Sequence, residues 1–261
     1  MAVEMLSAYY GCQNDSHQQF VSLKIAKEKS YEKHLNHYNV ICLNMQEFLS
    51  NSKDIIGMIE TLKKRLIFEI KIQNPEVLLF DETNLTFTLQ DVYAVKKQPF
   101  VILIDEWDCV FRERQKEEDG QRRYLDFLRD LLKDKEYTAL VYMTGILPIK
   151  KYGSHSALNM FQEFSMTNQR EMEAFVGFTE KEVFELCETY ERNFEEMKAW
   201  YDGYSFLRVK SVYNSKAVVE AVLSGGFDSY WTKTETYEAL KSYIGMNYDG
   251  LKDMIVEMLA G

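Results

Sequence analysis

The sequence predicts an α/β fold with a parallel sheet, followed by an all-helical domain. Three observations support this prediction. Phe100 to Ile104 form an unbroken apolar run, which is typical of a strand buried on both faces. Strand and helix patterns alternate between residues 39 and 143, and this alternation favours right-handed crossovers within one parallel sheet. Beyond residue 168 the patterns are helical only.

The first half of the sheet region contains two predicted strands. A helical pattern in residues 3–10 opens the chain, and Asn39–Asn44 has the character of a buried strand. Apolar residues from Ile55 to Ile70 then follow one face of a long helix, and a weaker helical pattern runs from Leu85 to Val92. The strand Phe100–Ile104 follows at once.

The second half of the sheet region adds a third strand. Arg112–Gly120 is predicted to be a charged loop, and the apolar stripe from Tyr124 to Leu132 predicts a helix. Ala139–Met143 is the third strand, and Phe164–Met166 is predicted as a short fourth strand.

The helical region is marked by capping residues. Thr179 with Glu182 forms a capping-box pattern, and two further helix starts are predicted at Asn193 and Asn214. Trp200–Tyr204 is explained as an apolar helix end with a glycine cap. Gly225-Gly226 is predicted to stop the helix from Asn214, and two more helical patterns run from Thr236 to the end. We therefore expect an α/β domain at 1–167 and a helical domain at 168–261.

Composition excludes several classes of protein. The net charge of −10 argues against nonspecific binding to a nucleic-acid backbone, and the short basic run at 63–65 is better explained as a solvated helix face. The four cysteines form no C-x-x-C pair, and no apolar stretch reaches the length of a membrane span. The sequence predicts a cytoplasmic protein with no membrane partner and no direct nucleic-acid signal.

Two adjacent carboxylates end the most apolar strand. Asp105 and Glu106 follow Ile104 directly, and ligands of open α/β sheets bind at the carboxyl ends of the strands. This is the Walker B pattern of P-loop ATPases, in which one acid helps to hold Mg²⁺ and a neighbour orients the attacking water. Thr144, after the third strand, has the position of a residue that senses the terminal phosphate. The alternative is that the two acids cap a helix or solvate a loop, and that Thr144-Gly145 is an ordinary turn.

Other polar residues near these strands each have two interpretations, one functional and one structural. Asp108 belongs to a metal's outer shell or, as we prefer, caps the following segment. Four arginines after the acidic strand approach a phosphate or, as we prefer, lie in solvent: Arg112, Arg114, Arg122 and Arg123. Lys150-Lys151 has the same two readings.

Two further patterns give little support to other chemistry. His34 and His37 have the spacing of metal ligands on a helix, but no Cys or His cluster completes a site. Ser154 and His155 have no nucleophile-elbow pattern around them.

The phosphate-binding motif that accompanies Walker B is missing. The motif G-x-x-x-x-G-K-[ST] requires a glycine followed by lysine, and none of the 12 glycines is followed by lysine. Backbone amides and the lysine of that loop supply most of the electrostatic hold on the phosphates. We therefore expect this chain alone to bind ATP weakly or not at all.

An ordered set of segments resembles the AAA-ATPase-like family of bacteria. The segments are Val101–Asp108, Met143–Tyr152, Phe178–Val183, Trp200–Tyr204 and Val212–Asn214. The resemblance runs along nearly the whole chain. It implies a P-loop NTPase-like parallel sheet, and members of the family often carry a PD-(D/E)XK nuclease-like domain downstream.

The resemblance also implies roles and boundaries. Asp105 would bind Mg²⁺ through water, and Glu106 and Thr144 would act in catalysis on ATP. Met1–Leu6 resembles the helix that follows the family's Walker A motif, so the sheet would lack its first strand, which lies beside the strand ending at Thr144. The chain would also stop before any nuclease-like domain. Both ends are thus expected to be truncated, and ATP hydrolysis is expected of the complete protein.

A second hypothesis is non-enzymatic. A degenerate ATPase-like module would serve as an interaction or regulatory unit, and the region from Asn168 would present the contact surface to a protein partner. A nuclease activity of the chain itself has almost no support, because no D…E-x-K pattern follows a strand.

Overall fold

A parallel three-stranded sheet forms the centre of residues 1–161, the first of two units into which the chain divides; the second is 162–261. The computed structural model describes residues 2–13, 15–147, 158–165 and 168–230. The strands are β1 (Asn39–Asn44), β2 (Phe100–Asp105) and β3 (Thr138–Met143), in the spatial order β1-β2-β3. The predicted α/β class and all three predicted strands are confirmed in this unit.

The strand β2 is the most buried part of the sheet because it lies between the other two. All five residues from Phe100 to Ile104 are buried, as expected of an apolar run in a covered sheet. In the register of the sheet, Asp105 is level with Asn44 of β1, and Ile104 is level with Met143 of β3. The carboxyl ends of the three strands therefore lie at one edge.

Eight α-helices surround or connect these strands in the described part of the first unit. The two longer helices predicted before β2 are confirmed, and Asp54 caps the first of them by accepting a hydrogen bond of 2.7 Å from the amide of Gly57. The bounds are α1 Ala2–Tyr10, α2 His17–Phe20, α3 Tyr31–His34, α4 Met45–Ser50, α5 Ile55–Gln73, α6 Leu85–Lys96, α7 Cys109–Glu113 and α8 Glu118–Leu132.

The charged loop predicted at Arg112–Gly120 is wrong. The helix α7 continues to Glu113 and α8 begins at Glu118, so only four residues separate them. Acidic residues favour the first turn of a helix, because its free amide groups carry partial positive charge. Gly120 lies within α8 where α5 comes close, since a Cβ atom there would lie 2.9 Å from the Cβ of Ile55.

The helix α1 runs antiparallel to the strands. Its last turn lies beside the residues that lead into β1: the amide of Asn36 donates to the carbonyl of Tyr9, and the amide of Tyr38 donates to the carbonyl of Tyr10. Because α1 also packs against both β1 and β2, it begins toward the carboxyl edge of the sheet. The prediction that the chain opens with a helix is confirmed.

The second unit is not all-helical, contrary to the prediction. It contains a small antiparallel sheet in the order β4-β6-β5, with β4 at Phe178–Thr179, β5 at Asp202–Tyr204 and β6 at Val212–Tyr213. Strands of two or three residues are too short to show an alternating pattern in the sequence. The structure also ends a helix at Tyr201 and continues as β5, so Gly203 lies in a strand and does not cap that helix.

The helix starts predicted in the second unit are confirmed. The helices are α9 Glu180–Thr189, α10 Phe194–Tyr201 and α11 Ser215–Ser224. Thr179 and Glu182 form the capping box, Asn193 and Asn214 accept from backbone amides three residues on, and Gly225 ends α11 with a φ of 75°. The helical patterns from Thr236 onward lie outside the described residues.

Phe164 and Ser165, the described part of the predicted fourth strand, belong to neither of the two described sheets. Ser165 forms an isolated antiparallel bridge with Asn168, and Met166 lies outside the described residues. The helices that the structure describes include none with the length and apolarity needed to cross a bilayer.

Candidate functional site

Asp105 and Thr144 meet at the carboxyl edge of the sheet. The hydroxyl of Thr144 donates a hydrogen bond to Oδ1 of Asp105, and the amide of Glu106 donates to the same oxygen at 3.1 Å. Among the residues that the structure describes, no hydrogen bond reaches the other carboxylate oxygen, Oδ2. The parallel order of β2 and β3 thus brings together two residues that are 39 positions apart.

Backbone hydrogen bonds continue the pairing of these two strand ends. The amide of Thr144 donates to the carbonyl of Ile104 at 2.9 Å, and the amide of Trp107 donates to the carbonyl of Thr144 at 3.0 Å. The chain after Asp105 therefore stays next to the chain after Met143 instead of turning away into solvent. Two short segments result, which we call the acidic turn (105–108) and the β3 loop (144–147).

Asn44 ends β1 at the same edge, level with Asp105. Its side chain accepts a hydrogen bond of 3.1 Å from the amide of Glu47 and so caps α4. A polar residue thus ends β1 and β2 and directly follows β3, but the Asn44 side chain is already occupied by a structural hydrogen bond.

Glu106 has an unusual backbone conformation. Its φ is 54°, in the left-handed region, which costs a non-glycine residue about 1–2 kcal/mol. Such conformations persist only where surrounding contacts hold them, and they cluster at functional sites. The carboxylate of Glu106 forms an ion pair with the guanidinium of Arg112.

Burial raises the pKa of Glu106, and it is the largest of the influences on that carboxyl group. The positive charge of Arg112 opposes this effect and lowers the pKa, whereas the neighbouring charges of Asp108, Asp105 and Glu113 raise it. The net direction is upward, so Glu106 is a better proton acceptor than an exposed glutamate would be.

Asp108 lies below the surface and binds the β3 loop. Its side chain is fully buried, and its Oδ2 accepts hydrogen bonds from the amides of Ile146 (3.1 Å) and Leu147 (2.8 Å). The prediction that Asp108 caps the following segment is wrong for the side chain, which makes no hydrogen bond to the amides of α7. The β3 loop lies within reach and offers those amides instead. The other oxygen, Oδ1, is buried and has no hydrogen-bond partner among the described residues.

The prediction that all four arginines lie in solvent is wrong for Arg112. Its side chain is only 14% exposed, because it lies between Glu106 and Asp108, and its Nε is 3.2 Å from Oδ2 of Asp108. The other three arginines are more exposed and pair with acidic residues on or next to α8: Arg114, Arg122 and Arg123. Lys150 and Lys151, and also Ser154 and His155, lie outside the described residues.

Gly145 permits the close approach of the two segments. A Cβ atom at this position would lie 2.5 Å from Cδ1 of Trp107 and 2.7 Å from Oδ1 of Asp108. Sequence reasoning treated Gly145 as part of a common turn and missed this role, as it missed the ion pairs of Arg112 with Glu106 and Asp108. The spacing from Asp108 to Arg112, four residues on a helix, is the one sequence signal that pointed to their pairing.

The two histidines considered as metal ligands make separate contacts. Nδ1 of His34 is 2.6 Å from the hydroxyl of Tyr38, and Nδ1 of His37 is 2.6 Å from the carbonyl of Leu35. Within the described ranges, no three His, Cys, Asp or Glu side chains are grouped so that they could bind a metal ion. A cation at Asp105 would therefore need water or ligand oxygens for most of its coordination shell.

Comparison with known proteins identifies a family. A family model described as "Predicted AAA-ATPase" matches residues 1–154, which is more than half of the chain and includes all three parallel strands. No curated protein matches the chain, and no solved structure matches it. The matched region contains Asp105, Glu106 and Thr144 at one edge of the sheet. The chain therefore belongs to the AAA-ATPase-like family.

Proposed function

We propose that the carboxyl edge of the parallel sheet is the Walker B half of a site that binds and hydrolyses ATP with Mg²⁺. The observation that carries this proposal is the contact between Asp105 and Thr144 across two neighbouring strands. One contact places a candidate metal-binding carboxylate beside a candidate phosphate-sensing hydroxyl. Membership in the AAA-ATPase-like family supports the same reading.

Each residue has a separate role in this proposal. Asp105 holds Mg²⁺ through water, for which its Oδ2 is available, and Mg²⁺ commonly keeps several waters while it binds one or two carboxylates. Glu106 accepts a proton from, or orients, the water that attacks the terminal phosphate. Thr144 senses that phosphate with its hydroxyl. The metal, when bound, would neutralise charge on the phosphates.

The phosphate-binding half of the site is not encoded within these 261 residues, since no glycine is followed by lysine. We propose that a strand carrying the phosphate loop pairs with the outer edge of β3. Two observations support this position: β3 lies at an edge of the described sheet, and its Ala139 and Leu140 are exposed apolar residues. The start of α1 faces the same edge as Asp105, where a helix N-terminus would support a phosphate.

Calorimetry with Mg-ATP tests whether this chain lacks the phosphate-binding half of the site. We expect the 261-residue chain to bind weakly, with a dissociation constant in the millimolar range or above, because the amides and the lysine of the loop are lacking. Micromolar affinity would overturn this part of the proposal. Reading the nucleotides upstream of Met1 for an in-frame Arg-Phe-Gly-Lys-Ser shows whether a longer version can be made.

Hydrolysis by such a longer version tests the catalytic half. Glu106→Gln should abolish phosphate release and leave the affinity for Mg-ATP within about twofold, because the amide keeps the shape of the carboxylate but does not accept a proton. Glu69→Gln is a matched control on α5, where Glu69 pairs with exposed Arg65. Unchanged hydrolysis in Glu106→Gln would remove Glu106 from its proposed role.

One observation favours a second candidate function, a non-catalytic interaction module. Leu78 and Phe80, in the segment between α5 and α6, are 94% and 84% exposed. Exposed apolar side chains that lie close together in the chain, as these two do, often mark a protein contact surface. If Asp105→Asn leaves the cellular role intact while Leu78→Ser with Phe80→Ser removes it, the interaction function is favoured over ATP hydrolysis.

A further inference from the structure

Arg112 lies between two of the acidic side chains of the acidic turn, Glu106 and Asp108. Its guanidinium donates a hydrogen bond to Glu106 on one side, and on the other its Nε lies 3.2 Å from Oδ2 of Asp108 as an ion pair without a hydrogen bond. The two acids differ in setting, because the Glu106 side chain is 39% exposed and the Asp108 side chain is fully buried. A single cation thus joins the solvent-facing acid of the site to an acid in the interior.

Asp108 in turn holds the β3 loop. Its Oδ2, the oxygen that faces Arg112, also accepts from the amides of Ile146 and Leu147. Thr144 immediately precedes this loop and donates to Asp105. A continuous set of polar contacts therefore runs from Glu106 through Arg112 and Asp108 to the segment that carries Thr144.

The geometry of this set suits an arginine. A guanidinium spreads one positive charge over three nitrogens, so it can pair with two carboxylates at once, whereas a lysine ammonium is a single point charge on a flexible stem. The hydrogen bond from Arg112 also restricts Glu106, whose left-handed backbone needs contacts that hold it.

We propose that Arg112 is a positioning residue of the site: it holds the carboxylate of Glu106 by one oxygen and ties it, through Asp108, to the β3 loop and Thr144. This inference rests on the proposed function, in which Glu106 acts on water and Thr144 on phosphate. Arg112 itself contacts neither the water nor the nucleotide. It keeps two groups from different strands in a fixed relation, which is the geometric requirement for catalysis by positioned groups.

The first test needs no nucleotide. NMR of the full chain follows the amide signals of Ile146 and Leu147 and the side-chain N–H signals of Arg112. We expect Arg112→Gln to speed hydrogen exchange of the two amides at least tenfold, and Glu106→Gln to remove the slowly exchanging N–H signals of Arg112. Arg122→Gln is the control, because Arg122 is 70% exposed on α8 and its loss removes the same charge. Amide exchange in Arg112→Gln that equals the wild-type exchange would overturn the proposal.

The second test measures phosphate release by the longer version that carries the phosphate loop, at Mg-ATP concentrations that span its KM. We expect Arg112→Gln to lower kcat at least tenfold with KM changed less than twofold, and Arg112→Lys to lie between that variant and the wild type. A changed KM with an unchanged kcat would assign Arg112 to nucleotide binding and overturn the positioning role. A longer version that binds Mg-ATP but releases no phosphate counts against the proposed catalysis by these residues, and the amide signals then decide the role of Arg112.

Discussion

Replacement of Gly145 by alanine tests whether the acidic turn and the β3 loop form one packed structure. The added Cβ atom would lie 2.5 Å from Trp107 Cδ1 and 2.7 Å from Trp107 Nε1. Trp107 is 2% exposed and Asp108 is fully buried, so neither side chain has solvent into which it can move. Overpacking of this kind costs about 1–3 kcal/mol.

The same substitution also disturbs hydrogen bonds. Asp108 is 2.7 Å from the added atom, and its displacement weakens the contacts to the amides of Ile146 and Leu147, each of which contributes about 0.5–1.5 kcal/mol. The two effects together predict a loss of about 2–4 kcal/mol in the free energy of unfolding of the first unit.

Urea unfolding followed by tryptophan fluorescence measures this loss. Trp107 is the one tryptophan within residues 1–161, so a background of Trp200→Phe and Trp231→Phe restricts the signal to the first unit. A Gly145→Ala variant whose unfolding free energy stays within about 0.5 kcal/mol of the wild type would refute the packing argument.

Three further predictions concern other parts of the chain. Glu173 is buried and accepts from the amides of 208–209, so Glu173→Ala should cost the second unit about 1–3 kcal/mol and speed amide exchange there; exchange at the wild-type rate would contradict this. Thr144→Val should lower phosphate release by the longer version that carries the phosphate loop, while the free energy of unfolding changes by no more than about 1.5 kcal/mol, because one hydrogen bond is lost. Burial raises the pKa of the Cys109 thiol to about 12, so at pH 8 Ellman's reagent should modify exposed Cys42 and spare Cys109 until urea unfolds the chain; equal rates would show that Cys109 is accessible.

Sequence reasoning predicted the parallel sheet and the meeting of Asp105 with Thr144. Both depend on signals that are local in the chain: an apolar run for β2 and polar residues directly after two strands. The order of parallel strands then places those residues at one edge without further information.

The parts that sequence reasoning missed depend on contacts that no local pattern encodes. Arg112 is only 14% exposed because α7 begins three residues after Glu106 and places the guanidinium beside Glu106 and Asp108. Gly145 matters because Trp107 lies against it. The antiparallel sheet of the second unit is built from strands too short for a period to appear.

The outer edge of β3 also bears on how the protein behaves in concentrated solution. Its sequence, Thr-Ala-Leu-Val-Tyr-Met, contains none of the lysines or prolines with which natural edge strands discourage pairing. A second copy can satisfy the backbone groups of β3 that have no partner strand among the described residues, so we expect self-association to increase with protein concentration. Whichever strand completes the sheet would then serve also as a solubilising cover, and adding it should return the protein to monomers.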